Sequence, residues 1–476
     1  MLLRRFYENG LAQASYLLGC QATGEALVVD PLRDVRPYLE ELDEQGMTLR
    51  WVTETHIHAD YLSGSRELAR RTGAELLLSG EASDDWRYGF VESDGARLLH
   101  DGEEIALGRV RLGVVHTPGH TPEHVSFTVT DGAASDEPLG LLSGDFLFVG
   151  DVGRPDLLEK AAGIEGTMEA GARQLWASLQ RLDRFPDWIQ ILPGHGAGSA
   201  CGKALGAVPT STLGYERLVG WAFQCADEED FVARVLEDQP EPPSYFARMK
   251  RLNRDGPPLL GGDISRPSRL PVETWTPPAT EDEKDGPVLV DLRDRDVYAR
   301  AHLPGGLNLP AGDGFLEWAG WLLEPERTVR FLAPSQQVAD QAARSLALIG
   351  LDRVEGWLPP EVLEPASRFG ATATLRRVAW DEAERLREEG AELVDVRRAT
   401  EFREGHWAGA RHIHLGHLPD RSQDLPSDQP VLVYCRSGAR SAIAASLLES
   451  RGVEAVDVAG GILERTRRGL PLAEGL

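Results

Sequence analysis

Four cysteines in 476 residues are too few for a disulfide framework, and the scatter of Cys20, Cys201, Cys225 and Cys435 fits reduced thiols in a cytoplasm. Long hydrophobic runs are missing too: no segment approaches the roughly 20 apolar residues of a membrane span. The opening Met-Leu-Leu-Arg-Arg-Phe-Tyr-Glu-Asn-Gly has two arginines but no apolar stretch long enough for a signal peptide, so a cytoplasmic protein is expected. Basic residues are outnumbered, 50 Lys and Arg against 76 Asp and Glu, for a net charge of −26. That balance disfavours a nucleic-acid partner or an anionic membrane surface. Hydrophobic residues at 42% and charged residues at 26% are ordinary for a globular chain. At roughly 100–200 residues per domain, this length implies two to four domains.

The first half alternates short β-branched runs, such as Ala26-Leu-Val-Val-Asp30 and Val125-Ser-Phe-Thr-Val129, with Gly, Asp and Pro turns. Helical patterns intervene at 35–44 and 64–71, and the mixture points to an α/β or α+β sandwich. The stretch 239–263, with its Pro-Glu-Pro-Pro and Asp-Gly-Pro-Pro punctuation, reads as a tail leaving that domain. Residues 274–286 read as the clearest linker.

Beyond it the chain repeats. Leu289-Val-Asp-Leu-Arg293 returns as Leu393-Val-Asp-Val-Arg397, and Asp395 − Asp291, His406 − His302 and Gly409 − Gly305 all give 104. Val431-Leu-Val-Tyr-Cys435 aligns with Val329-Arg-Phe-Leu-Ala333. Each copy reads as a small α/β domain.

Two stretches carry chemistry. Thr55-His-Ile-His-Ala-Asp-Tyr61 has two histidines and an acid at metal-binding spacing, with Tyr61 where a further histidine normally completes a binuclear hydrolase motif. Further ligand sources follow in His116-Thr-Pro-Gly-His120, Ser143-Gly-Asp145 and Pro193-Gly-His195-Gly, each just after a strand-like run. One sound pocket beside a spoilt one should hold a single ion with open positions, which suits redox activation better than two-metal hydrolysis. In the second stretch, Cys435-Arg436-Ser437-Gly438-Ala439-Arg440 joins a buried strand pattern to an alanine-rich helix stopped at Gly452. Backbone N–H groups, the helix dipole and two arginines all favour thiolate, so Cys435 is expected to be a nucleophile. A sulfane sulfur is a better cargo for so short a loop than a phosphate.

From about Trp380 onward the chain resembles rhodanese-type sulfurtransferases, on Leu393-Val-Asp-Val-Arg397, Gly405-His-Trp-Ala-Gly-Ala410, Cys435–Arg440 and Val458-Ala-Gly-Gly-Ile462. In the first copy Ala333 replaces the nucleophile, so that copy is expected to be inactive, a spacer or docking domain. Residues 1–265 resemble metallo-β-lactamase-fold proteins and, among them, the persulfide dioxygenases. That resemblance rests on Glu54-Thr-His-Ile-His-Ala-Asp60, His116-Thr-Pro-Gly-His120-Thr, Ser143-Gly-Asp145, Gly153-Arg154-Pro-Asp156 and Pro193-Gly-His195-Gly.

The resemblance implies an α/β multidomain chain: an αββα sandwich over 1–265, a linker at 266–286, an inactive rhodanese-like domain at 287–370 and an active one at 371–476. It implies one mononuclear Fe(II) on His56, His120 and Asp145, with His58, Asp60, Tyr61 and His195 around it. Tyr61 would offer its hydroxyl to a bound ligand. Arg154 would contact the carboxylate of a thiol substrate. Cys201, close after His195, is open between sulfur chemistry and packing; Tyr215 and Arg217 are weaker substrate-contact candidates that read rather as structural residues. His100 and His124 read as surface or packing residues, His116 as a loop brace, and His302 and His406 as architectural. His412, His414 and His417 read as an exposed strand-loop.

The combined expectation is a sulfide- or persulfide-detoxifying enzyme. Its iron domain would turn a low-molecular-weight thiol persulfide (glutathione-, coenzyme A- or bacillithiol-like) and O₂ into sulfite. Cys435 would move sulfane sulfur between sulfite and thiosulfate, in either direction. Homo-oligomers are common among relatives of such metal domains. The competing reading is a zinc thioester hydrolase of the glyoxalase II type with a rhodanese tail.

Overall fold

Short apolar runs separated by turns build the first half of the chain. In the computed structural model, which describes residues 1–82, 86–162, 166–203, 205–274, 286–368 and 370–475, twelve strands form two sheets. The first sheet runs β1 (Leu2–Glu8), β2 (Gln13–Cys20), β3 (Glu25–Val29), β4 (Thr48–Thr53), β5 (Glu75–Ser79) and β6 (Arg97–Leu99), in that order. It is antiparallel through β3 and parallel after it. The second contains β7 (Glu104–Leu107), β8 (Val110–His116), β9 (Val125–Asp131), β10 (Gly140–Gly144), β11 (Gln190–Pro193) and β12 (Ser211–Thr212), antiparallel except where β10 meets β11.

Neighbouring residues on each strand face opposite layers. Leu18, Leu27, Leu77, Leu112, Phe127, Leu142 and Leu192 fill the space between the sheets. Their neighbours Leu17, Val28, Leu76 and Leu78 pack with Tyr38, Leu42 and Leu68 of the helices Arg36–Gln45 and Ser65–Thr72. On the far side Leu141 and Ile191 meet Leu175 and Leu179 of the helix Thr167–Gln180 and Phe231 of Glu228–Leu236. Burial on both faces explains why these strands read as continuous apolar runs. The result is an αββα sandwich.

The chain divides into two compact units, residues 1–264 with 347–350, and residues 265–346 with 351–476. The stretch 239–263 does not leave the first unit as a tail. It contains the helix Phe246–Asp255, whose Phe246, Met249, Lys250 and Asn253 are buried, because its apolar face has a core to join. Of the linker read at 274–286, all but the two end residues lie outside the described residues.

The second unit holds two parallel sheets. One comprises β13 (Val288–Asp291), β14 (Leu307–Asn308), β15 (Val329–Leu332) and β16 (Val354–Leu358), ordered β14-β13-β15-β16. The other comprises β17 (Arg376–Val378), β18 (Glu392–Asp395), β19 (Arg411–His412), β20 (Val431–Tyr434) and β21 (Ala455–Val458), ordered β17-β21-β20-β18-β19. The internal repeat is visible atom for atom. Arg293 donates to Asp291 and to the carbonyl of Ala301, and Arg397 donates to Asp395 and to that of Gly405. His302 stacks on Tyr298 at 3.9 Å, and His406 on Phe402 at 3.8 Å.

Phe127 is fully buried between the sheets. Phe127→Ala should lower the stability of the first unit by about 3–5 kcal/mol. Urea unfolding followed by circular dichroism measures this, and a loss below about 1 kcal/mol would mean the inter-sheet layer can collapse around the gap.

Candidate metal centre and thiol loop

In the first unit the ends of β3, β4, β10 and β11 come together, and backbone hydrogen bonds tie the two sheets there. Val125 N–H donates to Thr55 O at 2.8 Å and Ala14 N–H to Gly194 O at 2.7 Å. His56, His120 and Asp145, all buried, present ligand atoms within 4.8 Å of one another. Asp145 Oδ2 lies 3.8 Å from His56 Nε2 and 3.7 Å from His120 Nε2.

Hydrogen bonding fixes both tautomers. The Thr55 hydroxyl donates to Asp30 Oδ2 at 2.9 Å, so its oxygen accepts from His56 Nδ1, also at 2.9 Å. The Arg154 carbonyl can only accept, so His120 Nδ1 donates to it at 3.1 Å. Each Nε2 is thereby left with its lone pair. Burial holds both imidazoles well below the ordinary histidine range, with His58 adding to the effect on His56 and Lys250 to that on His120. Among the described residues Asp145 Oδ2 has no hydrogen-bond partner. A buried bare carboxylate oxygen facing two imidazole lone pairs is costly without a cation, so the residues present fit a metal.

His195 is placed otherwise. Its Nδ1 bonds Asp145 Oδ1 at 2.7 Å and its Nε2 bonds Asp60 Oδ2 at 2.9 Å. Burial alone would lower its pKa, but the two carboxylates outweigh burial and raise it well above the usual value. Both nitrogens are engaged as donors. His58 pairs with Asp30 through Nε2 at 3.0 Å and stands outside the three-residue group. Asp60, His195 and Cys201 form a second group with ligand atoms within 4.8 Å. Burial, then the charges of Asp60 and Asp145, push the Cys201 thiol well up.

The other expected site residues have protein partners of their own. The Tyr61 hydroxyl donates to Asp30 O and accepts from Gln13 Nε2, both at 3.3 Å, and burial raises its pKa well above the usual range. Arg154 is fully buried and presents no free fork, because Asp156 occupies it at 3.0 and 2.8 Å while the carbonyls of Ala200 and Pro240 take further N–H groups. Tyr215 is exposed on the helix Leu213–Val219. Arg217 braces the carbonyls of Leu182 and Phe185 and the carboxylate of Asp187. That helix thus packs against the turn at 182–187.

Sequence reasoning missed Asp30, which receives Thr55 N–H, Thr55 Oγ1 and His58, although an acid closing a strand is a visible signal. It also undervalued His124, stacked 5.1 Å from His56 and accepting Asp145 N–H at 3.1 Å. Burial pushes His124 down to about 3. His116 braces its loop through Pro122 O, as expected.

In the second unit Cys435 follows β20 and is buried. Gly438 N–H donates to its sulfur at 3.1 Å, and Gly438, at φ +94°, caps the helix Ala439–Glu449. Ile462 N–H and Leu463 N–H hold the carbonyls of Cys435 and Arg436. Gly461 is required there, because a Cβ would sit 2.4 Å from Cys435 O at φ +57°. Arg436, Ser437 and Ala439 are exposed. Arg440 is bound at 2.6 and 2.7 Å by both oxygens of Glu401, so its charge is largely matched. Arg295, from the first copy, lies 3.6 Å from where a Gly438 Cβ would be. Buried Ala333 closes the equivalent strand, β15. His414 is not on an exposed loop but buried against Trp318 and Trp321, which pushes it down to about 3.

Residues 9–195 match the family described as the metallo-beta-lactamase superfamily, and residues 379–466 match the rhodanese-like domain. A crystal structure of a metallo-beta-lactamase from Staphylococcus aureus subsp. aureus COL is 42% identical, covers 75% of this chain and 99% of that one, and superposes with a TM-score of 0.68. A probable metallo-hydrolase of Burkholderia pseudomallei is 30% identical over 41% of this chain and 72% of its own length. The chain belongs to the metallo-beta-lactamase superfamily. A hydroxyacylglutathione hydrolase of Rhodospirillum rubrum is 32% identical over 38% of this chain, which spans 60% of that relative. The superfamily fold thus accounts for the first unit, and a rhodanese-like domain closes the second. No described helix is long and apolar enough to cross a membrane.

Asp30→Asn should weaken metal affinity about 10–100-fold, because it loosens the Thr55 and His58 contacts that orient the ligands. Competition with a chelator measures this, and unchanged affinity would remove Asp30 from the support. At Glu401, burial alone would raise the carboxyl, but Arg440 outweighs it and leaves the pKa lowered. The pair therefore stabilises the loop above the ordinary carboxylate range and is lost as pH falls through the depressed value. Glu401→Gln should lower the melting temperature at neutral pH, and the gap from wild type should close in acid. A gap independent of pH would contradict that.

Proposed function

We propose that the chain is a mononuclear non-haem iron persulfide dioxygenase joined to a cysteine-dependent sulfurtransferase. The domain division is the one expected from the sequence: a metal domain over 1–265, an inactive rhodanese-like domain over 287–370 and an active one over 371–476. The observation that carries the reading is the donor set: two neutral imidazoles and one bare carboxylate oxygen, with Tyr61 bonded away from the pocket and His195 engaged at both nitrogens. Two histidines and one carboxylate leave open positions of the kind used by non-haem Fe(II) oxygenases. When bound to His56, His120 and Asp145, a ferrous ion supplies the redox chemistry that joins sulfur to O₂. The chain's own part is to hold both Nε2 lone pairs in place through Thr55 and the Arg154 carbonyl, to exclude water by burial, and to keep a proton on His195 beside Asp145.

The overall change is R–S–S⁻ + O₂ + H₂O → R–SH + SO₃²⁻ + H⁺, with R a small thiol carrier. In the rhodanese-like domain a Cys435 persulfide would pass its outer sulfur to sulfite, giving thiosulfate and the free thiolate. The Gly438 N–H at the sulfur suits that exchange, stabilising negative charge there in either direction.

One feature favours a second reading, a two-zinc thioester hydrolase: Asp60, His195 and Cys201 could together hold another ion. It requires His195 to give up a proton and its contact to one of the two carboxylates. Purification without air, metal analysis and O₂ uptake on glutathione persulfide separate the two. One iron per chain with O₂ consumption is expected; two zincs with thioester cleavage would end the dioxygenase reading. Cys435→Ser should abolish thiosulfate formation while sparing O₂ uptake.

A further inference from the structure

The helix Phe246–Asp255 carries a buried charge into the metal domain. Lys250 is 2% exposed, and among the described residues its Nζ has no hydrogen-bond partner. The ring of Trp86 lies 5.4 Å from the ammonium. The indole N–H of Trp86 donates to Glu123, whose other oxygen accepts Ile57 N–H at 2.7 Å, between His56 and His58.

Three residues further along the same helical face, Asn253 pins the helix to the metal loop. Its amide donates to His58 O at 2.8 Å and Tyr61 O at 2.7 Å, and its oxygen accepts Ser63 N–H at 2.9 Å. Lys250 is thus held against the ligand loop on two sides. Its charge helps to lower His56 and His120, while Glu123 and Asp145 partly offset the effect of burial on the ammonium. Burial pushes it down to about 8, which still leaves it charged at neutral pH.

An ammonium buried without an ion pair is costly, and the fold spends a helix and an asparagine clamp on keeping it there. A compact point charge suits a small anion better than an arginine fork would. We propose that Lys250 is the anion-binding residue of the metal pocket, donating to the charged sulfur end of the substrate and then to the oxygens of the sulfite formed from it. The site rests on geometry; the identity of the anion rests on the persulfide reading.

The test is calorimetric titration of sulfite into the anaerobic full-length chain, in a Cys435→Ser background so that the thiol loop is silent, with Lys250→Met and Lys250→Gln as variants. Sulfite affinity should fall about ten- to hundredfold in both, with bound metal unchanged. The melting temperature of Lys250→Met should be equal or higher, since an unpaired buried charge is gone. The proposal is overturned by unchanged affinity in a folded, metal-replete variant, or by a Lys250 parent that binds no sulfite at millimolar concentration. A protein that takes up no O₂ with persulfide, yet binds sulfite through Lys250, would lose the dioxygenase reading and keep the anion site. Normal O₂ uptake with sulfite affinity indifferent to Lys250 would do the reverse.

Discussion

The carboxylate of Asp145 is divided between two uses, and the first unit is arranged around that division. One oxygen is held by His195, itself held by Asp60; the other is bare and faces two imidazoles. The split depends on where β10 ends. Gly144, at φ +51°, lets the chain turn beneath Thr55 and His124, where a Cβ would lie 2.6 and 2.7 Å from their side-chain atoms. The same turn presents Asp145 N–H to His124. One backbone conformation therefore sets both the direction of the carboxylate and the support behind it.

The ring of groups outside the ligands is largely made of buried acids with defined donors. Asp30 and Glu123 both receive backbone N–H groups of the His56 loop, and Glu54 receives the hydroxyls of Ser63, Ser65 and Tyr88. Burial raises the pKa of Glu54 and Glu123, so negative charge is expensive here and favours any cation the pocket can hold. Such networks orient first ligands more than they add net stability.

In the second unit the two copies share a frame, and Ala333 follows the strand in the first where Cys435 follows it in the second. The Asp–Arg pairs and stacked histidines persist in both, because they hold strand to loop whatever that loop does. The helix Ala439–Glu449 shows what the first copy supplies. Every residue from Ser441 to Leu448 is buried, which a helix with one solvent face would not allow. Asn308 N–H meets Ser446 at 3.0 Å and His302 meets Glu449 at 3.1 Å, so the first copy covers the outer side of the helix that follows Cys435.

What was legible in the sequence was local. The short apolar runs between turns and the strand-end placement of His56, His120, Asp145, His195 and Cys435 need only neighbours along the chain to be read. So does the 104-residue repeat, which a parallel strand pair reproduces in register. What only the tertiary structure decided was how polar groups share partners across long separations. Arg154 looked free until Asp156 and two distant carbonyls filled its fork, and Tyr61 looked available until Gln13 and Asp30 took its hydroxyl. The helix within 239–263 looked like a departing tail because its proline-rich flanks hide the face that Asn253 and Lys250 turn inward. Residue type and spacing determine which groups can bind a metal or a sulfur; whether a given group is still free to do so depends on hydrogen-bond partners that are neighbours only after the chain has folded.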